Sequence, residues 1–268
     1  MGYFTGKTAV ITGAGSGIGR SLAVQLSNLG CNLALSDVNV AGLRETAALA
    51  NPSIKCSCDH LDVSDRQAFH QYADKVVKEH GAVDIVVNNA GVALAATVEE
   101  MSYDAFEWIV GINFWGVVHG TKAFLPHLKS RPVANIVNIS SIFGIISVPK
   151  QGAYNATKFA VRGFTETLRQ ELSGTPVRVT CVHPGGIKTN IARAARVEGG
   201  AVSEGMMREF EKNFGTTAED CAAGIIRAMA KGEKRLVIGA GARPGDILQR
   251  IFPASYEYFT RKVLKGID

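Results

Sequence analysis

Tyr154 and Lys158 stand four positions apart in the stretch QGAYNATKFAVRG, residues 151–163. On a helix that spacing sends both side chains from one face. A phenol with a reference pKa of about 10 is a weak base at neutral pH, and a nearby ammonium lowers it. Moving it from about 10 to about 7 takes roughly 4 kcal/mol, which a unit charge ~4 Å away supplies at an effective dielectric of ~20. The question is whether Lys158 tunes Tyr154 in a proton-transfer couple or the two share a solvated helix surface. By itself the pattern is far more often the solvated surface.

A second cluster lies near the N-terminus. TGAGSGIG, residues 12–19, follows a strand-like run and leads into a helix-like one, with Gly13, Gly17 and Gly19 spaced G-x3-G-x-G. Glycines there permit a tight turn and let a pyrophosphate approach the N–H groups at a helix N-terminus, where the dipole favours negative charge. Asp37 ends the second strand-like run, eighteen residues after Gly19. A carboxylate at that place accepts hydrogen bonds from ribose hydroxyls and repels a 2′-phosphate, which favours NAD over NADP. Ser16, where a basic residue could have held a phosphate, points the same way. Asp37 as a mere cap of the next helix is the competing reading.

The elements that must position these residues alternate. Strands are expected at 8–12, 32–36, 54–59, 83–88, 134–140, 177–183 and 235–239, from short apolar runs. Helices are expected over segments such as 17–29, 64–80, 104–129, 152–173 and 217–231, with caps at Ser64 and Asp104. Strand and helix alternating in this way imply an α/β fold, a parallel sheet covered by helices on both faces, with binding at the carboxyl ends of the strands. No linker divides the chain, so residues 1–268 read as one domain. Residues 186–216 break the alternation and are expected to form a substrate lid, with Met206, Met207, Phe210 and Phe214 giving a short helix something to bury. Residues 241–268 form a C-terminal extension.

Further motifs stand in order along the chain: Asp62-Val63, NNAG at 88–91, Asn113 within GINFWG, NISS at 138–141, YNATK at 154–158 and PGGIKT at 184–189. With TGAGSGIG they make the chain similar to the short-chain dehydrogenase/reductase family, in its shorter single-domain branch, from about residue 5 to 240. The resemblance implies a Rossmann-like doubly wound sheet of about seven strands and an enzyme that interconverts a secondary alcohol and a carbonyl with a nicotinamide cofactor. It implies that Gly13, Ser16, Gly17, Ile18, Gly19, Asp37, Asp62, Val63, Asn89, Ala90, Gly91, Tyr154, Lys158, Pro184, Gly185, Ile187 and Thr189 hold NAD. The catalytic group carries over as Asn113, Ser141, Tyr154 and Lys158. Ser140 competes for the serine role, but Ser141 lies thirteen residues before the tyrosine, the family's usual interval. Ser141 would bind the substrate oxygen, Tyr154 would exchange the alcohol proton, Lys158 would hold the ribose and lower the phenol pKa, and Asn113 would fix a water.

Substrate contacts are expected from Leu94, Ser141, Phe143, Tyr154, Met206 and Phe210, with Val92, Ile142, Ile145 and Ile146 nearby. These are apolar apart from the reacting groups, so a small apolar alcohol or carbonyl is the expected substrate, and a small hydroxyketone or diketone is the alternative. A non-catalytic NAD-binding regulator would be expected to lack part of the Asn, Ser, Tyr, Lys set. Phe106, Trp108, Phe114 and Trp115 offer apolar area for a homodimer or homotetramer, as the corresponding helices do in the family.

The bulk numbers exclude some classes. With 46% hydrophobic and 20% charged residues the chain can bury a large core. The net charge of +5 is scattered, so no nucleic-acid partner is expected. The start lacks a secretory pattern, Gly6 breaks the myristoylation motif, and no apolar run nears the ~20 residues of a membrane span; the expected location is cytoplasmic. Of five cysteines, all read as reduced thiols, mostly buried, and Cys56 and Cys58 lack a second ligand pair, so no metal is expected. The aromatic and basic tail 247–268 could lie on a membrane surface, but packing on its own or a neighbouring subunit is favoured.

Overall fold

The computed structural model describes residues 2–199 and 215–263. Seven strands form one parallel sheet: β1 Thr8–Thr12, β2 Asn32–Asp37, β3 Cys56–His60, β4 Ile85–Asn88, β5 Ala134–Ile139, β6 Val177–Pro184 and β7 Arg235–Ile238. Their spatial order is β7-β6-β5-β4-β1-β2-β3, so the sheet reverses direction between β1 and β4 and the fold is a Rossmann-like doubly wound single domain. Nine helices follow the strands among the described residues: α1 Gly17–Asn28, α2 Val40–Leu49, α3 Arg66–His80, α4 Tyr103–Val110, α5 Gly116–Lys129, α6 Gly152–Glu171, α7 Ala218–Lys231, α8 Ala242–Ile251 and α9 Tyr256–Val263.

Alternate strand residues serve opposite layers, as the pleat requires. Val10, Ala34, Val86 and Ile136 pack with Phe69 of α3, Phe124 of α5 and Leu168 of α6. Ile11, Leu33, Val87 and Val182 pack on the other side with Leu22 and Leu26 of α1 and Ile225 of α7. Both faces are covered, which is why the inner strands read as continuous apolar runs. Edge strand β3 does not; Cys56 and Cys58 lie exposed on it, correcting the expectation of buried thiols, while Cys31, Cys181 and Cys221 are buried.

Two expected caps are replaced by neighbours. Asp65, whose carboxylate accepts from the Ala68 N–H, starts α3, and the Ser64 hydroxyl is turned back to Asp62. Ser102 starts α4 by accepting from the Ala105 N–H, and Asp104 falls in the first turn. The expected helix 104–129 is three pieces, because Gly111–Trp115 forms a π-turn between α4 and α5. Such a turn carries one extra residue per hydrogen-bonded ring and redirects the side chain it holds.

The chain between β6 and α7 is tied at both ends. Arg196-Val197 pairs in parallel with Leu94-Ala95, and Thr216-Thr217 with Ile187-Lys188. At the C-terminus Arg235 grips Asp246 through two nitrogens at 2.9 and 2.6 Å. Ala242 and Tyr256 then pack on Ile142, Ile145 and Ile146, and the Tyr256 hydroxyl accepts from the Ser147 N–H at 3.0 Å. Ile247, Ile251, Phe252, Tyr258 and Phe259 remain exposed on the extension. No helix among the described residues is long and apolar enough to cross a membrane.

Candidate active site

Residues far apart in the sequence meet along the carboxyl ends of the strands. Gly13, at φ +65°, sits so close to Ala90 that a β-carbon would lie 2.8 Å from its Cα. The closeness is maintained by the Thr12 hydroxyl, which accepts from Asn89 N and Ala90 N at 3.0 and 3.1 Å, and by the Asn89 amide, which donates to the Thr12 and Gly13 carbonyls. Gly17, at φ +52°, faces the Thr189 methyl. Ser16 forms no side-chain cap and the first turn of α1 holds no acidic residue, which leaves its N–H groups available to an anion. The glycine turn therefore meets the Asn89-Ala90-Gly91 turn on one side and Thr189 on the other, and its free N–H groups suit an anion such as a dinucleotide pyrophosphate; Pro184 and Gly185 lie at the end of β6, with Gly185 against Ala240 and Ala242. Ile18 is half-buried behind the turn and Ile187 is buried.

Asp37 holds this turn from the β2 side. Its Oδ2 accepts from Gly15 N and its Oδ1 from Asn39 N, both at 2.9 Å. A carboxylate has about four acceptor positions, so capacity remains for ribose hydroxyls. Asn39, not Asp37, caps α2, which removes the competing reading. Arg20 crosses beneath, donating to Gly15 O at 2.5 Å and Glu45 at 2.7 Å, and is committed to the protein. Asp62 accepts from Ser64, and the buried Val63 offers its carbonyl to His119 Nδ1 at 3.1 Å.

The four candidate catalytic residues converge. Tyr154 and Lys158 leave one face of α6, with Lys158 Nζ 5.6 Å from the phenol ring centre and donating to Ile139 O at 3.0 Å. The π-turn aims Asn113 into the same place. Its Oδ1 accepts from Val92 N at 2.8 Å, and its amide donates to Val92 O and to Thr157 Oγ1 at 3.0 and 3.2 Å. Gly91 lies between, where a β-carbon would be 3.2 Å from Asn113 Oδ1 and 3.4 Å from Lys158 Nζ. Ser140 spends its hydroxyl on the Lys158 carbonyl at 2.8 Å. Ser141 instead accepts from Phe143 N at 3.1 Å, and its hydroxyl acts on Tyr154 by lowering the phenol pKa.

The electrostatics differ from the expectation. Burial raises the Tyr154 phenol, opposed only by the Ser141 hydrogen bond. Lys158 is buried as well, and burial brings it down to about 8. Desolvation therefore works on both groups, and the expected lowering of the phenol by Lys158 is not among the influences on it.

Of the expected substrate contacts, Phe143 stands edge-on to Tyr154 with ring centres 6.3 Å apart. Leu94 is buried with Ala105, Ile109 and Ala153, with Tyr154 packed against the same cluster, and Ile142, Ile145 and Ile146 are buried with Ala242, with Phe143 and Tyr256 against them. Met206 and Phe210 lie outside the described residues. Sequence reasoning missed Thr157, which joins Asn113 to the Tyr154 carbonyl, and His183, whose Nδ1 is 3.1 Å from the Ser141 carbonyl oxygen. A histidine ending an otherwise apolar strand run was the available signal for the second.

A sheet wound in two directions from β1 and β4, with a glycine turn at the switch, is the frame of a dinucleotide-dependent oxidoreductase. The chain belongs to the short-chain dehydrogenase/reductase family, matching short chain dehydrogenase over residues 7–198. It is 49% identical, over all of its length and 97% of the relative's, to a Mycobacterium tuberculosis protein named "Putative oxidoreductase SadH". A Burkholderia phymatum short-chain dehydrogenase/reductase solved in complex with NAD is similar at TM-score 0.81 and 33% identity, with 88% of this chain and 90% of that one covered. An alcohol dehydrogenase from Thermococcus sibiricus complexed with 5-hydroxy-NADP is similar at TM-score 0.76 and 28% identity, with coverage of 88% and 97%.

Proposed function

We propose that this oxidoreductase interconverts a secondary alcohol and a ketone on an apolar substrate and prefers NAD to NADP. The convergence of Tyr154, Ser141, Lys158 and Asn113 beside the half-exposed Phe143 ring carries the reading. NAD, when bound, supplies the hydride acceptor. Ser141 hydrogen-bonds the substrate oxygen, being the serine whose hydroxyl is not spent on the Lys158 carbonyl. Tyr154 exchanges the proton of that oxygen. Its raised pKa keeps it protonated at neutral pH, so it is poised to donate in carbonyl reduction and becomes a base as pH rises. Lys158 holds the cofactor ribose with its ammonium and, with Asn113, forms the polar floor through which protons leave. Asp37 supports NAD by facing the ribose with a carboxylate that a 2′-phosphate would meet unfavourably. Residues 186–216, of which 200–214 lie outside the described residues, are assigned the role of a substrate lid, and the exposed aromatic side chains of the paired helices join subunits.

The test is a panel of secondary alcohols and ketones with NAD and then NADP, followed by nicotinamide absorbance. Tyr154→Phe is expected to abolish turnover with NAD binding nearly intact. Near-normal turnover by that variant ends the assignment, and a clear preference for NADP ends the reading of Asp37.

A further inference from the structure

His183 is the penultimate residue of β6, immediately before Pro184. Its ring is fully buried, which is unusual for a titratable group with no part in the proton chemistry above. Nδ1 lies 3.1 Å from the carbonyl oxygen of Ser141, while Nε2 has no partner among the described residues. The same carbonyl accepts from Gly144 N at 2.9 Å, so both lone pairs of the Ser141 oxygen are engaged. An imidazole with its proton on Nε2 would set two lone pairs against each other at that distance. The hydrogen must therefore sit on Nδ1. The charged groups acting on the ring from neighbouring elements are Arg235 on β7, Arg162 on α6 and Asp246 on α8. Burial is the main cause that holds the ring neutral, with the two guanidiniums adding to it and Asp246 opposing.

A buried imidazole with one unsatisfied nitrogen is a costly way to fill space that a leucine would fill. Its position explains it. Ser141 begins a single tight turn, Ile142–Gly144, and is otherwise held by its own neighbours in sequence. Ser140 N already donates to the Val182 carbonyl of β6 at 2.8 Å; His183 adds the tie from that strand to the Ser141 carbonyl itself.

We propose that His183 is a positioning residue: its Nδ1–H fixes the Ser141 carbonyl and so holds the Ser141 hydroxyl towards Tyr154 and the substrate oxygen. This rests on the reading of Ser141 given above. Two measurements separate the failure of one from the failure of the other. In 15N-labelled protein at pH 7, the His183 ring is expected to show the Nδ1–H tautomer; an Nε2–H tautomer overturns the proposal whatever the enzyme does. In kinetics with an alcohol taken from the panel, His183→Leu is expected to lower kcat about ten-fold with little change in the KM for NAD, the effect of one lost hydrogen bond at a reacting group. His183→Asn, whose amide nitrogen stands the same number of bonds from the backbone as Nδ1, is expected to restore most of it. In a Ser141→Ala background the His183→Leu change is expected to have no further effect, because the cycle isolates action through the serine. A full ten-fold loss in that background overturns the proposal. Should His183→Leu fail to fold, the tautomer and the His183→Asn variant decide. A panel without any turnover ends the reading of the reaction and leaves the tautomer to judge the contact.

Discussion

Lys158 in the folded protein titrates at about 8, against 10.5 for the unperturbed group, because its surroundings strip water from the ammonium. Between those two values the unfolded chain binds the proton and the folded chain does not, so stability rises with pH across that window. Below about 8 both states are charged and the cost of the buried ammonium is felt in full, at most about 3 kcal/mol for a displacement of this size. Lys158→Met is therefore expected to unfold at a higher urea concentration than the parent at pH 7, with the advantage shrinking as pH rises past 8, and to be inactive. Equal denaturation midpoints at pH 7 would show that the Ile139 carbonyl already compensates the charge. Stability is thus given up where the chemistry needs a cation. The sequence showed which residues these were, since Y-x-x-x-K fixes a shared helix face. It could not show the sign of their shifts, because burial of both side chains depends on β5 and on the turn at Gly91, contributed from elsewhere in the chain.

At the scale of elements, the Thr157 hydroxyl is the polar bridge between the π-turn Gly111–Trp115 and helix α6. Thr157 Oγ1 donates to the Tyr154 carbonyl at 2.8 Å and accepts from the Asn113 amide at 3.2 Å. Thr157→Val keeps the shape and removes the bridge. Urea unfolding is expected to report a loss of about 1 kcal/mol, and kcat to fall several-fold as Asn113 loosens; a stability change within a few tenths would mean that Val92 alone positions the asparagine. The strands were legible because parallel strands buried on both faces are apolar throughout, and all seven formed near their expected places. The π-turn was not, since Ile112, Phe114 and Trp115 continue the helical apolar rhythm across it. The cover over the loop isoleucines was not legible for a related reason: what packs on Ile142 and Ile146 is Ala242 and Tyr256, a hundred residues later, and no local pattern announces that contact.

For the molecule as a whole, aromatic side chains mark a face that the single chain leaves open. Trp115 of the π-turn is 49% exposed although it stacks on His119, and Phe159 on α6 is also exposed, while Phe114 of the π-turn and Phe164 of α6 meet with ring centres 6.2 Å apart. Exposed aromatic surface on paired helices favours self-association. The parent is expected to sediment as a dimer or tetramer and Trp115→Glu as a smaller species; an unchanged boundary for the variant would place the interface elsewhere, with the exposed C-terminal aromatics the next surface to alter.

The order of strands also sets a timetable. β1 lies between β2 and β4, and every neighbour in the sheet is parallel, so no pairing closes through a hairpin and each waits for a crossover of many residues. On the ribosome, β1, β2 and β3 can assemble as soon as they emerge. The glycine turn after β1 cannot take its final form until Asn89 and Ala90 arrive to bond Thr12. A nascent chain stalled before residue 85 would thus hold half a sheet and an open turn, and the ability to grip a nucleotide would appear only once β4 and the residues just beyond it have left the exit tunnel.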